Sequence, residues 1–129
     1  MAKIAHELTH EELRSYRPWG NIERYQKDTK VLIRRQRAWE TASAAAGLLK
    51  RDYGATRVIA FGSLVHETRF TPWSDVDLAA WGIVPTLYYR AAGAALDLGL
   101  EIGIKIHVVD PKDCSPEFLE GIEQEGVEL

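Results

Sequence analysis

Apolar residues recur along this chain in two rhythms, and the switches between them mark out its elements. Ile22, Tyr25, Thr29, Leu32, Gln36, Trp39, Ala42, Ala46, Leu49 and Tyr53 step by threes and fours, the spacing of one face of a long α-helix. Polar Thr29 and Gln36 interrupt the first half of that stripe, so the half from Trp39 onward is expected to pack on a sheet. Gly54 stands where a C-terminal cap belongs. Upstream, Thr9-His10-Glu11-Glu12 has the form of a capping box opening a short helix to about Tyr16. Arg17-Pro18-Trp19-Gly20-Asn21 breaks it.

After Gly54 the rhythm shortens. Arg57-Val58-Ile59-Ala60-Phe61 reads as a buried strand. Ser63 to Arg69 is placed to start a short helix, and Asp75 to Leu78 heads a second apolar strand. A helix follows over about Thr86 to Leu98, with Leu87, Arg90, Ala91, Ala94 and Leu98 on one side. From Glu101 to Val109 the alternation is clean: Ile102, Ile104, Ile106 and Val108 share one face, Glu101, Gly103, Lys105, His107 and Val109 the other. A last helix opens with Ser115 as N-cap and Pro116 at its first position. Helix, strand, short helix, strand, helix, strand, helix predicts an α/β (α+β) domain with a small mixed sheet, helices packed on one face and a long N-terminal helix. Residues 1–54 form a helical extension of the same unit as a core domain over 55–129. No repeat or low-complexity linker interrupts them.

Composition agrees with one globular unit: 46% of the 129 residues are hydrophobic and 27% charged. A single cysteine, Cys114, rules out an internal disulfide and fits a reducing compartment. No apolar run is long enough to span a bilayer or to act as a signal peptide, so a cytoplasmic protein without a membrane partner is expected. The net charge of −3 is unevenly spread. Arg24, Lys27, Lys30, Arg34, Arg35 and Arg37 face only Asp28 as a nearby acid, whereas seven acids from Asp110 onward face Lys112 alone. The basic run reads either as the wet face of the helix or as an arm for a partner helix or a second copy of the chain. Nucleic acid is not the expected partner.

The chemistry is concentrated around Phe61-Gly62-Ser63 and Asp75-Val76-Asp77-Leu78, with eleven residues between Ser63 and Asp75. In an extended strand residues i and i+2 share a face, so Asp75 and Asp77 converge while Val76 and Leu78 turn inward. Adjacent carboxylates repel unless a cation lies between them. A hard divalent ion such as Mg²⁺ takes one or two carboxylates plus substrate phosphates. Gly62 lets the chain turn sharply and a ligand approach the backbone. A helix starting at Ser63 would offer N–H groups to a phosphate. A lone Gly-Ser or a lone Asp-x-Asp is a weak signal. In this order and spacing, each after an apolar run, the pair is specific.

This segment, FGS-x11-DVDL, resembles the signature of the polymerase-beta-type nucleotidyltransferase superfamily. At this size it is most similar to the minimal nucleotidyltransferases, the antitoxin half of HEPN/MNT toxin–antitoxin pairs. The resemblance runs from about Arg57 to Leu129, is densest from Val58 to Gly82, and includes a closing helix after Ser115. It implies the nucleotidyltransferase fold and transfer of AMP from ATP, with Mg²⁺, to a tyrosine hydroxyl of a HEPN-type helical toxin. It also implies that Gly62 and Ser63 contact phosphates and that Asp75 and Asp77 ligate Mg²⁺. Ser74 and Lys105 join the nucleotide-binding candidates, Lys105 reading equally as a solvated strand lysine.

One departure stands out. The family places a third carboxylate on a later strand, and here His107 occupies that position; Asp110 has the wrong parity and Glu101 lies early. His107 is read as a metal ligand, as a general base, or as the mark of a site that binds nucleotide without chemistry. Trp73, Trp81, Tyr88 and Tyr89 are candidates to stack on a purine, with core packing the default for each. Two other functions stay open: a catalytically degenerate antitoxin that neutralises its partner by contact, and transfer to a small hydroxylated substrate.

Overall fold

The computed structural model describes residues 28–129. The expectations for the capping box at Thr9, the break at Arg17 and the start of the stripe at Ile22 and Tyr25 lie outside these residues. Helix α1 spans Thr29–Tyr53, with the Asp28 side chain accepting from the Lys30 amide. It ends where Gly54 turns left-handed at φ 78° and its N–H bonds to Leu49 O, a C-cap that a β-carbon would disfavour.

Three further strands and two further helices follow β1 (Arg57–Phe61): β2 (Val76–Trp81), α2 (Pro85–Leu100), β3 (Ile106–Val109), α3 (Pro116–Glu125) and β4 (Val127–Glu128). The sheet order is β3-β2-β1-β4. β1 runs antiparallel to β2, with Phe61 opposite Asp77. β2 and β3 run parallel, with Asp77 beside His107. A parallel pair needs a crossover, and α2 is that crossover.

Alternation sorts the strands into two faces. Val58, Ala60, Val76, Leu78, Ala80 and Ile106 pack with Ala38, Ala42, Ala45 and Leu49 of α1 and with Ala91 and Ala95 of α2. The alanines let two helices come close to the sheet. Ile59 and Ala79 point the other way, where Ile122 covers them beside Phe61, Trp81 and Leu119. Thus α1 and α2 lie on one face, while α3 lies across the β1 side of the opposite face and leaves the β2–β3 side open.

Three local expectations are revised. The strand expected from Glu101 begins only at Ile106, because α2 runs to Leu100 and the chain reverses through Gly103 at φ 77°. Ile102, assigned to the buried face, is 48% exposed in that turn. The short helix expected from Ser63 is two 3₁₀ turns, Gly62–Val65 and Glu67–Arg69, separated at His66. The α1 stripe is rotated in its first half: Val31 and Ala38 are buried, whereas Leu32 is 46% exposed and Gln36 is exposed. Among the described residues no helix is long and apolar enough to cross a membrane.

Candidate active site

The open part of the second sheet face carries a row of side chains. Directly opposed residues of neighbouring strands share a face, so the register sets Phe61, Asp77 and His107 side by side across β1, β2 and β3. Asp75, two residues before Asp77, reaches the same place: its Oδ2 lies 3.3 Å from His107 Nε2. The sequence candidates Asp75, Asp77 and His107 are therefore brought together.

Gly62 completes the floor of this row. Its φ is +82°, and a β-carbon there would lie 2.6 Å from Asp77 Oδ2. The glycine is required both by the turn and by the carboxylate pressed against it. Asp77 is half-buried, and burial holds its carboxyl above the usual aspartate range. The charge of His107 opposes that shift and the charge of Asp75 adds to it. A cation beside the two carboxylates would reverse the penalty.

The donor set fits a divalent ion in one specific sense. Among the described residues, no three His, Cys, Asp or Glu side chains form a metal cage. Two carboxylates on one face are instead the partial oxygen set that Mg²⁺ accepts when substrate phosphates and water supply the rest.

The other candidates are placed less directly. Ser63 is half-buried in the first 3₁₀ turn. The Ser74 hydroxyl is engaged in the turn before β2, accepting from the Thr71 amide at 2.8 Å and lying 3.2 Å from Thr71 Oγ1. Lys105 is exposed just before β3, and its carbonyl accepts from the Val76 amide. Trp81 stacks under the Arg57 guanidinium at 4.8 Å. The Tyr88 hydroxyl donates to the carbonyls of Val109 and Ala80, so both are structural. Trp73 and Tyr89 are 73% and 94% exposed.

Two features escaped the sequence reading. The basic run of α1 is partly turned inward. Arg35 donates from Nε and Nη2 to Leu64 O at 3.2 and 2.8 Å, inside the glycine-serine turn. Arg34 Nη2 reaches Ser74 O and Gly103 O, each at 3.4 Å, and so spans the segments leading into Asp75 and towards His107. The signal was available, since positions 34 and 35 fall between buried Val31 and Ala38 at helical spacing. The second feature is His66, whose Nε2 lies 2.9 Å from Glu125 Oε1 of α3. No local motif announces that contact, because its partners are 59 residues apart.

The fold is that of the nucleotidyltransferases. A solved structure of a candidate minimal nucleotidyltransferase is 24% identical and superposes with a TM-score of 0.58 over 74% of this chain and 95% of that one. A toxin–antitoxin structure with AMP-PNP is 19% identical, with a TM-score of 0.52 over 66% of this chain and 69% of that one. A MntA toxin–antitoxin mutant structure is 14% identical, with a TM-score of 0.53 over 67% of this chain and 70% of that one. No protein-family model matches the chain, and neither does any curated protein.

Proposed function

We propose that this chain is a Mg²⁺-dependent nucleotidyltransferase that moves AMP from ATP to a hydroxyl of a protein partner, a HEPN-type toxin, and acts as the antitoxin of that pair. The observation that carries the reading is the juxtaposition of Asp75, Asp77 and His107 on one sheet face, with Gly62 packed against the Asp77 carboxylate. The fold likeness to a candidate minimal nucleotidyltransferase and to toxin–antitoxin chains supports it.

In this reading Asp75 and Asp77 hold the ion, and Gly62 and Ser63 meet the phosphates. When bound, a divalent ion offsets charge on the phosphates and favours displacement at phosphorus. The acceptor oxygen bonds to the α-phosphorus, the α–β bridging bond breaks, and pyrophosphate leaves with the bonding pair. The hydroxyl proton passes to an imidazole, for which His107 is the sequence candidate. His107 also orients Asp75 through the 3.3 Å contact.

A second reading is favoured by the histidine in place of a third acid: an antitoxin that neutralises its partner by binding alone. Transfer of label from α-phosphate-labelled ATP, in a host lysate with Mg²⁺, separates the two. Asp75→Asn with Asp77→Asn is expected to lower labelling of a macromolecule at least about 100-fold. Equal neutralisation of the partner by this double variant and the wild type would establish contact alone.

A further inference from the structure

A cavity of about 260 Å³ opens beside the row of site residues, between the glycine-serine turn and α3. Phe61, Gly62, His66, Arg69, Phe118 and Gly121 line it. It is continuous with the site, because Phe61 stands opposite Asp77 and Gly62 touches the Asp77 carboxylate. Phe61 and Phe118 meet edge to face at 5.6 Å, forming an aromatic wall.

Gly121 gives the cavity its room. It sits in the middle of α3, where glycine weakens a helix, yet a β-carbon there would meet nothing within 4 Å. Gly99 and Gly126 differ, since a β-carbon on either would strike neighbouring backbone. Gly47 and Gly93 are as open as Gly121 but do not line this cavity. The fold does not demand glycine at 121, whereas an incoming ligand would.

The outer wall is acidic. Glu117 and Glu125 line the cavity, and α3 also carries Glu120 and Glu123. A triphosphate is poorly matched to such a wall, while a basic surface is well matched.

We propose that this cavity is the acceptor subsite: it receives an aromatic, hydroxyl-bearing side chain from a protein partner whose surrounding surface is basic. The inference rests on the transfer reading above and names the place where the acceptor enters. It also makes His66 the imidazole at the acceptor. With Nε2 held by Glu125, Nδ1 is the nitrogen left to take the hydroxyl proton, as in other carboxylate-oriented histidines.

The test is a graded series in the full chain, Gly121→Ala and Gly121→Leu. Mg·AMP-PNP binding is followed by calorimetry, and label transfer from ATP is measured in the host lysate. Neither variant is expected to lower the melting temperature, because both residues favour helix more than glycine does. Gly121→Leu is expected to lower transfer at least about 10-fold, with nucleotide affinity within about twofold of wild type and Gly121→Ala in between. Loss of Mg·AMP-PNP affinity in parallel with transfer would assign the cavity to the nucleotide and overturn the proposal. So would unchanged transfer in Gly121→Leu. His66→Gln is expected to abolish the low-pH limb of the transfer rate; retention of that limb would remove His66 from the acceptor step. A wild-type chain that labels no macromolecule would sink the transfer reading itself, a result separate from either arm.

Discussion

The two faces of the sheet are built from the same strands and do opposite things. On the face under α1 and α2, Val58, Ala60, Leu78 and Ala80 are fully buried. On the other, Phe61, Asp77 and His107 stand in a row that α3 covers only at the β1 side. One residue of displacement along a strand separates a side chain that stabilises from one that can react. The dry face tolerates no polarity because its helices leave no water. The wet face keeps a half-buried carboxylate that the metal-free fold would be more stable without. Rigidity on one face holds the spacing on the other.

That contrast can be broken most severely from the dry face. Leu78 lies between Asp77 and Ala79 and is 0% exposed. Leu78→Ala is expected to cost about 2–5 kcal/mol, read from denaturant unfolding, and to abolish function through loss of the folded state. An effect below about 1 kcal/mol would mean that the core around β2 is not close-packed.

The link between the faces is the next target. Arg35 reaches from α1 to Leu64 O in the glycine-serine turn, so Arg35→Gln is expected to cost about 1 kcal/mol of stability. The same change should weaken Mg·AMP-PNP binding severalfold by calorimetry. Arg35→Lys should not restore that affinity, because an ammonium lacks the planar fork. Wild-type affinity in both variants would show that the turn holds its shape without α1.

The smallest expected effect sharpens the wet face. Burial and Asp75 raise the pKa of the Asp77 carboxyl in the folded chain. A raised folded value means that the protonated form is favoured on folding. Its contribution is therefore full below the ordinary aspartate range and lost as pH rises through the folded value. In metal-free protein, Asp77→Asn is expected to raise the melting temperature modestly above that window and to flatten its pH dependence there. Thermal melts across pH 3–7 with chelator check this, and a lower melting temperature for the variant at neutral pH would refute it.

Much of this architecture was legible before folding. The Gly54 cap, the Arg57–Phe61 strand and the Ser115-Pro116 helix start each depend on a few neighbouring residues, and each appears where expected. The strand read from Glu101 was misjudged because alternation cannot say where a preceding helix stops. The basic run was read as a wet or projecting face, whereas Arg34 and Arg35 bond to loops 29 to 69 residues away. The cavity under Phe118 was invisible, since its walls come from β1, the 3₁₀ turns and α3.

By itself, the sequence determined which residues are chemically able to act and on which side of a strand each falls, because side-chain parity and turn preference are local properties of the backbone. Only the tertiary structure decided which strands are neighbours. Parallel pairing of β2 with β3 set His107 beside Asp77, antiparallel pairing set Phe61 on its other flank, and α3 settled on the same face to enclose a cavity. Those choices depend on the summed burial of distant apolar surfaces, a quantity that no short stretch of residues contains.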